Sequence, residues 1–265
     1  MKRNIILILV LALLTCCSEN SVTEEFNNAN GDGSGNNGGD NSGGNVPSKL
    51  ITKIIGTSVQ DPSENITLFV SYDANDRVSS VSSGDEASVL VYNNGSLSTV
   101  TSSGGTPFNV EDLFASPYDA FEIGQVLQYD NNGNPINIAF IEEVYDSNSN
   151  SYITVQYTAE IFYDDEPNPY FYTLQAAGVI EVLDGVELNF SLNPTNPEIV
   201  QARALFPLNN INRIIYKDEN SVVLFEILVD YVYNSVDHPI TATVTATDVV
   251  ENIISVYTLA YTYRE

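Results

Sequence analysis

The single histidine is the side chain best suited to general acid–base chemistry. His238 occurs in Val236-Asp237-His238-Pro239, between two segments of strand character. A serine hydrolase would use such a histidine, but the sequence lacks the Gly-x-Ser-x-Gly pattern that places the nucleophile. One histidine is also too few for a multi-histidine metal site. The sequence therefore predicts that His238 is a solvated turn residue.

Three acidic segments carry the oxygen ligands that Ca²⁺ prefers: Asp146–Asn150, Asp73–Asp76 and Asp164–Glu166. The first matches positions 1, 3 and 5 of an EF-hand loop. It departs from that loop at Ser151, where glycine belongs, and at Tyr157, where glutamate belongs. We expect no cofactor, with an opportunistic calcium site in the other two segments as the alternative.

Glycosidases need two carboxyl groups held about 5–10 Å apart. With 35 Asp and Glu residues, some pair will meet that distance by chance. Glu142, Glu143, Glu226 and Asp230 are thus no indication of catalysis, and the sequence assigns no catalytic residue. Tryptophan, which often stacks on sugars, is absent, although 16 tyrosines keep a sugar site open. Most of these tyrosines are better explained as core residues at strand ends.

Composition excludes several function classes. The 265 residues include only 9 Lys and Arg, and the net charge is −26. Binding to nucleic acid or to anionic lipid is disfavoured, because phosphate contacts need basic clusters. The two cysteines are adjacent, so the body of the protein has no structural disulfide and no Cys/His zinc site.

Residues 1–17 form a targeting segment with a basic start and an apolar stretch, Ile5–Leu14, too short to span a bilayer. Its end resembles the lipobox of bacterial lipoproteins, which implies acylation of a cysteine. Cys17 is the better candidate, because compact Cys16 then fills the small-residue position. Acylation of Cys16 instead would place β-branched Thr15 there, and this choice stays open.

The residues after Cys17, with Glu24-Glu25, resemble the acidic export signal of Bacteroidetes lipoproteins. That resemblance implies a lipid anchor in the outer membrane, facing the cell exterior. Residues 18–47 are rich in Gly and Asn and predict a flexible tether. Random-coil scaling gives about 20 such residues a reach of roughly 25 Å.

From about residue 48 the hydrophobic period changes to two. Ser151–Tyr163, Val222–Tyr233, 66–72 and 239–247 all alternate apolar and polar residues, which predicts antiparallel strands with one buried face. A tyrosine followed by an Asp/Asn-rich turn recurs at spacings of 20, 16, 18 and 17 residues, typical of one hairpin each. These tyrosines are Tyr72, Tyr92, Tyr129, Tyr145, Tyr163, Tyr216 and Tyr233.

Two longer gaps in this repeat must hold other structure. Asn168 and Pro169 read as a helix N-cap and first turn, and Asp184-Gly185 reads as a stop. We therefore predict one helix of about four turns near 169–183, with a strand as the alternative. A weaker helical signal covers Asn109–Ala115. The insertion at 163–210 is where a ligand site would be built, because regular hairpins present little concavity.

The Tyr-Asp hairpin pattern resembles an uncharacterised Bacteroidetes surface lipoprotein family of unknown function with a porin-like β-barrel fold. Asn168–Gly185, Asn189–Pro207 and the ending Tyr261-Thr-Tyr-Arg264 add to the resemblance, which covers roughly residues 48–265. It implies a curled sheet or soluble barrel with a helix at one opening. It supplies no catalytic residues.

We thus expect a mainly β chain with one antiparallel domain at 48–265. The sequence favours a non-enzymatic cell-surface lipoprotein that binds an extracellular glycan, peptide or protein partner. The alternative is a structural or envelope-assembly lipoprotein with no small ligand, and a glycan hydrolase ranks below both. Beyond lipid attachment at Cys17, no site residue is assigned.

Overall fold

The computed structural model describes residues 50–103, 105, 107–110, 124–147, 149–185, 188–189, 199–200 and 206–264. Cys17, the signal segment 1–17 and the tether 18–47 lie outside the described residues, so these remain predictions. The weak helical signal at 109–115 lies mostly outside them as well, and its first residue, Asn109, belongs to a strand.

The described chain is mainly strand, as predicted, with one helical segment. Its elements are β1 (Ile51–Ser58), a 3-10 helix (Pro62–Glu64), β2 (Ile66–Tyr72), β3 (Val78–Ser83), β4 (Glu86–Asn93), β5 (Ser96–Ser102), β6 (Phe108–Asn109), β7 (Gly124–Tyr129), β8 (Pro135–Asp146), β9 (Ser151–Pro167), α1 (Pro169–Ala176), α2 (Val179–Asp184), β10 (Leu188–Asn189), β11 (Ile199–Val200), β12 (Asn209–Lys217), β13 (Val223–Tyr233), β14 (Pro239–Asp248) and β15 (Ile253–Tyr263).

Thirteen of the strands form one antiparallel sheet in the order β6-β5-β4-β3-β2-β1-β15-β14-β13-β12-β9-β8-β7, and β10 pairs with β11 separately. Most neighbours in the sheet are consecutive in the chain, as hairpins require. The exceptions are the pairings of β1 with β15 and of β9 with β12. Within the described residues β6 and β7 each have one partner strand, so the sheet is open rather than a closed barrel.

The path of α1 shows that this sheet is strongly curled. β9 and β5 are nine strand-to-strand steps apart in the sheet order, which is about 43 Å along a flat sheet. Yet Gly178, ten residues after Asn168, already lies against Leu97 of β5, since a Cβ added to it would be 3.2 Å from Leu97 Cβ. Ten helical residues advance only about 15 Å. The sheet must therefore curl around α1, with the helix at one end of its concave face.

The concave face forms the core because its strands alternate in polarity. Buried positions include Ile54 and Leu68 in β1 and β2, and Ile214 and Ile227 in β12 and β13. The intervening side chains point outward, and the sequence Pro239–Asp248 shows the pattern clearly, with Ala and Val buried and Thr facing out. The predicted period of two is confirmed, since one face of these strands packs while the other meets water.

Tyrosines near strand ends lock neighbouring strands together at the end of the sheet that carries α1. In each case the hydroxyl donates to a backbone carbonyl of the adjacent strand, at 2.6–3.0 Å. The pairs are Tyr72 to Ile51, Tyr92 to Val78, Tyr163 to Pro135, Tyr231 to Ile211 and Tyr263 to Pro239. The sequence predicted Tyr163 at the end of a strand. This is wrong, because β9 continues for four more residues, to Pro167.

Four turns between strands share one hydrogen-bonded design. The first residue, Asp73, Asp130, Asp218 or Asn234, accepts from the backbone N–H groups two and four positions later. The fourth residue of each turn has a positive φ, between 59° and 86°. Asp, Asn, Ser and Gly tolerate these angles and bond locally, which explains why the hairpins alternate with Asp/Asn-rich segments.

The helical prediction at 169–183 is confirmed in position, but the segment is divided into two helices. Asn168 caps α1 by accepting from the N–H of Tyr170 at 3.0 Å, and α2 ends at Asp184 as expected. Between them Gly178 has a φ of 72°, a left-handed angle that ends a helix. No helix within the described residues is long and apolar enough to cross a membrane.

Candidate functional site

A cleft of about 440 Å³ opens beside α1, between the turn that joins β7 to β8 and the last third of β9. It exists because β9 outruns its partner: the last β8–β9 pair is Asn137 with Glu160, and β9 continues for seven more residues. The gap left by β8 becomes the cleft. Its lining comes from Gln128, Asp130, Asn132, Ile136, Asn137 and the run from Glu160 to Asp165.

Several polar groups in the wall are occupied in holding the fold. Asp130 accepts from two backbone N–H groups of its turn and from Asn134 Nδ2 at 2.9 Å. Buried Asn134 in turn accepts from the N–H of Leu208 at 2.7 Å, which ties the turn to the start of β12. Glu160 forms an ion pair with Lys217 at 2.5 Å. These polar groups are therefore used in intramolecular bonds that shape the cleft.

Other wall residues present groups suited to a polar ligand. Phe162 is 44% exposed, and its ring is fixed by the Arg213 guanidinium, 5.7 Å from the ring centroid. Gln128 and Asn137 add amide groups, and exposed Asp165 adds a carboxylate. Asn137 Oδ1 is buried and, within the described part of the chain, makes no hydrogen bond. Amides, carboxylates and an aromatic face together match the hydroxyls and apolar faces of sugars.

Asp164 at the edge of the cleft has an altered acidity. Its carboxylate accepts a hydrogen bond from the Tyr233 hydroxyl, and Asn210 Nδ2 also donates to that hydroxyl at 3.3 Å. Burial raises the pKa of Asp164, against the opposing effect of the Tyr233 hydrogen bond. Burial and the bonded carboxylate likewise raise the pKa of Tyr233.

Glu166 continues this acidic segment. Its pKa is raised by desolvation first, and then by the neighbouring carboxylates of Asp237, Asp164 and Asp165. Asp164 and Asp165 therefore bring negative charge to the cleft, next to the carboxyl group of Glu166. Such carboxylates would repel an anion.

His238 is not the solvated turn residue that the sequence predicts. It is completely buried, at 0% exposure. The backbone N–H of His238 donates to Asn234 Oδ1, and Nδ1 donates to the carbonyl of Val236 at 2.7 Å. The imidazole packs edge-on against the ring of Tyr263 at 5.5 Å. The sequence could not reveal this, since burial came from a strand 25 residues away.

The acidic segments considered as calcium ligands are placed apart. Asp73 forms an ion pair with Arg77 at 2.6 Å, which lowers the pKa of Asp73, and Asp76 pairs with Arg264 at 2.8 Å. Asp164–Glu166 lies at the cleft. Within the described residues no group of three or more His, Cys, Asp or Glu could hold a metal ion.

The carboxylates weighed as a glycosidase pair are not assembled at the cleft. Glu226 pairs with Arg213 at 2.6 Å, and Asp230 is exposed four residues further along β13. Glu142 and Glu143 belong to β8, and their side chains lie outside the described residues. Sequence reasoning placed the site near 163–210 but missed Gln128, Asn137 and Phe162. The one feature of the sequence that could have indicated this cleft is the length of β9, which ends at Pro167.

No protein-family model matches the sequence, and no curated protein matches it. Similar solved structures include a porin-like protein from Bacteroides uniformis, with a TM-score of 0.38 and 11% identity. That match covers 82% of this chain and 99% of the other. A porin-like protein from Bacteroides vulgatus matches with a TM-score of 0.35 and 11% identity, over 81% of this chain and 99% of the other. These neighbours share a β-rich fold.

Proposed function

We propose that this protein is a non-enzymatic cell-surface lipoprotein that binds an extracellular glycan in the cleft between β7, β8 and β9. The observation that carries the proposal is the composition of that cleft. An exposed aromatic ring, amide groups and a carboxylate line an open volume of about 440 Å³, large enough for a short oligosaccharide.

The ligand class follows from the charges around the cleft. Asp164, Asp165 and Glu166 stand at its mouth, and the chain as a whole carries −26. Sulfated or uronic-acid glycans would be repelled by these carboxylates. We therefore expect a neutral glycan, which stacks one sugar face on Phe162 and offers hydroxyls to Gln128, Asn137 and Asp165.

The location rests on the N-terminal sequence. A lipid on Cys17 and the tether 18–47 would hold the sheet at the outer membrane, facing the exterior, where polysaccharides are met. Mass spectrometry of the mature N-terminus should find an acylated Cys17. An unmodified cysteine would contradict the proposed lipid anchor. It would not bear on glycan binding in the cleft.

The binding test uses residues 18–265, which lack the cysteine that would carry the lipid. The protein is screened by thermal shift against neutral polysaccharides and then by calorimetry. A ligand at 100 times its Kd stabilises by about 2.7 kcal/mol, which moves the midpoint by several degrees. Phe162→Ala should weaken binding at least tenfold, since it removes the stacking ring.

Phe69→Ala is the matched control. Phe69 is 48% exposed on β2, and the Lys53 ammonium lies 5.4 Å from its ring centroid, so its surroundings mirror those of Phe162. It should bind as the wild type does. Equal losses in both variants would contradict a role for the cleft. Release of reducing sugar ends during the assay would favour the hydrolase, and a flat screen would favour the structural lipoprotein.

A further inference from the structure

The end of the sheet opposite α1 carries a cluster of exposed aliphatic side chains. They lie in or next to three turns, which join β1 to β2, β12 to β13 and β14 to β15. We call this cluster the apolar rim; it consists of Val59, Val222, Val249, Val250, Ile253 and Ile254, each 46–69% exposed. Single exposed aliphatics are ordinary, but grouped ones mark interaction surfaces.

The three turns form one continuous surface because their strands are neighbours in the sheet. The order β1-β15-β14-β13-β12 sets them side by side over about 20 Å. Hydrogen bonds join them: the N–H of Val59 donates to the carbonyl of Val256, and the N–H of Val249 donates to the carbonyl of Leu224, both at 2.9 Å. Gln60 Oε1 accepts from the N–H of Val256 at 3.0 Å. The rim is therefore held in a defined arrangement.

Carboxylates are interspersed with the aliphatic side chains. The segments 59–65, 218–222 and 248–254 contain acids but no Lys or Arg. The acids are Asp61, Glu64, Asp218, Glu219, Asp248 and Glu251. Exposed Glu219 is three residues before Val222, and exposed Glu251 directly follows Val250. A complementary surface must combine aliphatic contacts with positive charge.

We propose that the apolar rim docks a protein segment whose aliphatic side chains are flanked by Lys or Arg. A second copy of this chain is disfavoured, because two acidic rims would repel one another. Insertion into a bilayer would bring Glu219 and Glu251 to the hydrocarbon together with the valines, which is costly. A basic, aliphatic protein segment satisfies both features of the rim at once.

This surface is independent of the glycan cleft. The cleft lies beside α1, whereas the rim is at the other ends of the strands, as the direction of β9 and β12 requires. One molecule could therefore hold a glycan at one end and a protein at the other. Failure of either proposal leaves the other standing.

The test measures binding of residues 18–265 to a defined probe, a synthetic amphipathic peptide with leucine on one face and lysine on the other. The double variant V250S/I254S should raise the Kd at least tenfold. The matched control V89S/V91S removes two valines of β4 that are 49% and 47% exposed, and should bind as the wild type does. Added salt should weaken wild-type binding, because charges contribute to it.

The competing occupants are tested with the same variants. Equal affinity of the wild type and V250S/I254S for the peptide would overturn the proposal. Co-sedimentation with zwitterionic vesicles that V250S/I254S abolishes would also overturn it in favour of a bilayer. If the wild type forms a dimer as its concentration rises and V250S/I254S does not, the proposal is overturned in favour of a second copy of this chain. Thermal unfolding of each variant confirms that the exposed substitutions leave the fold intact.

Discussion

Polar side chains near the cleft differ in how fully their hydrogen bonds are made. Asn210 is 2% exposed and donates from Nδ2 to the Glu166 carbonyl and to the Tyr233 hydroxyl. Asn137 lies in the cleft wall on β8, two strands from β12 in the sheet. Its Oδ1 is buried and makes no hydrogen bond within the described residues. A buried polar atom without a partner costs stability, whereas a bonded one contributes to it.

This contrast predicts opposite effects of the same substitution. Asn137→Leu should raise the free energy of unfolding by about 1 kcal/mol, since it removes an unbonded oxygen. Asn210→Leu should lower it by about 1–3 kcal/mol, since it leaves the Glu166 carbonyl and the Tyr233 hydroxyl without that donor. Urea unfolding followed by circular dichroism measures both. Equal destabilisation in the two variants would show that Asn137 is bonded in solution.

The raised pKa of Asp164 predicts a pH-dependent stability. The folded state holds the proton more tightly than the unfolded state, so folding is favoured most below the unfolded pKa of about 3.9. Stability should then fall as the pH rises through the raised folded pKa. Asp164→Asn should remove this contribution, so that its stability relative to wild type grows from pH 4 to pH 7.

Denaturant titrations at several pH values measure the effect. Asp230→Asn, an exposed acid on the outward face of β13, is the control. A constant difference between wild type and Asp164→Asn across this pH range would contradict the prediction.

At the scale of elements, the break between α1 and α2 depends on a single glycine. The φ of Gly178 is 72°, and a Cβ added there would lie 3.2 Å from Leu97 Cβ. The Tyr92 hydroxyl donates to the carbonyl of the preceding Ala177 at 3.1 Å. At the break between α1 and α2, the backbone therefore packs against β4 and β5. Glycine is suited to this position because it allows both the left-handed angle and the close approach.

Gly178→Ala should therefore cost more than backbone strain alone. Gly84 is the matched control, because its φ is 56° and an added Cβ would meet nothing within 4 Å. We expect Gly84→Ala to lower the free energy of unfolding by about 1 kcal/mol, and Gly178→Ala by about 2–3 kcal/mol. Equal losses would show that the contact with Leu97 gives way without cost.

For the molecule as a whole, charge predicts behaviour in solution. Removal of Lys2 and Arg3 with the signal leaves 7 basic against 35 acidic residues, a net charge of −28. Arg213, Glu226 and Asp230 also lie on the outward faces of β12 and β13. Residues 18–265, without the lipid-bearing cysteine, should stay monomeric without detergent, because like charges oppose association. Sedimentation velocity tests this, and a need for detergent would contradict it.

Sequence reasoning succeeded where the controlling interactions are local. The period of two in Val222–Tyr233, the Asn168 cap and the Asp/Asn turns depend on residues within a few positions of each other, so their pattern is visible in the chain. The curl of the sheet could not be predicted in this way. It depends on the close approach of Gly178 to Leu97, and these residues are 81 positions apart in the chain.

The same reason explains the candidate site. By itself the sequence determined a mainly antiparallel β chain with a strongly acidic composition. Only the tertiary structure decided that β9 outruns β8 and so opens a cleft, that His238 is buried against Tyr263, and that three distant turns share an apolar rim. Each of these depends on which strands become neighbours, and strand neighbours are set by packing across the whole sheet rather than by any local pattern.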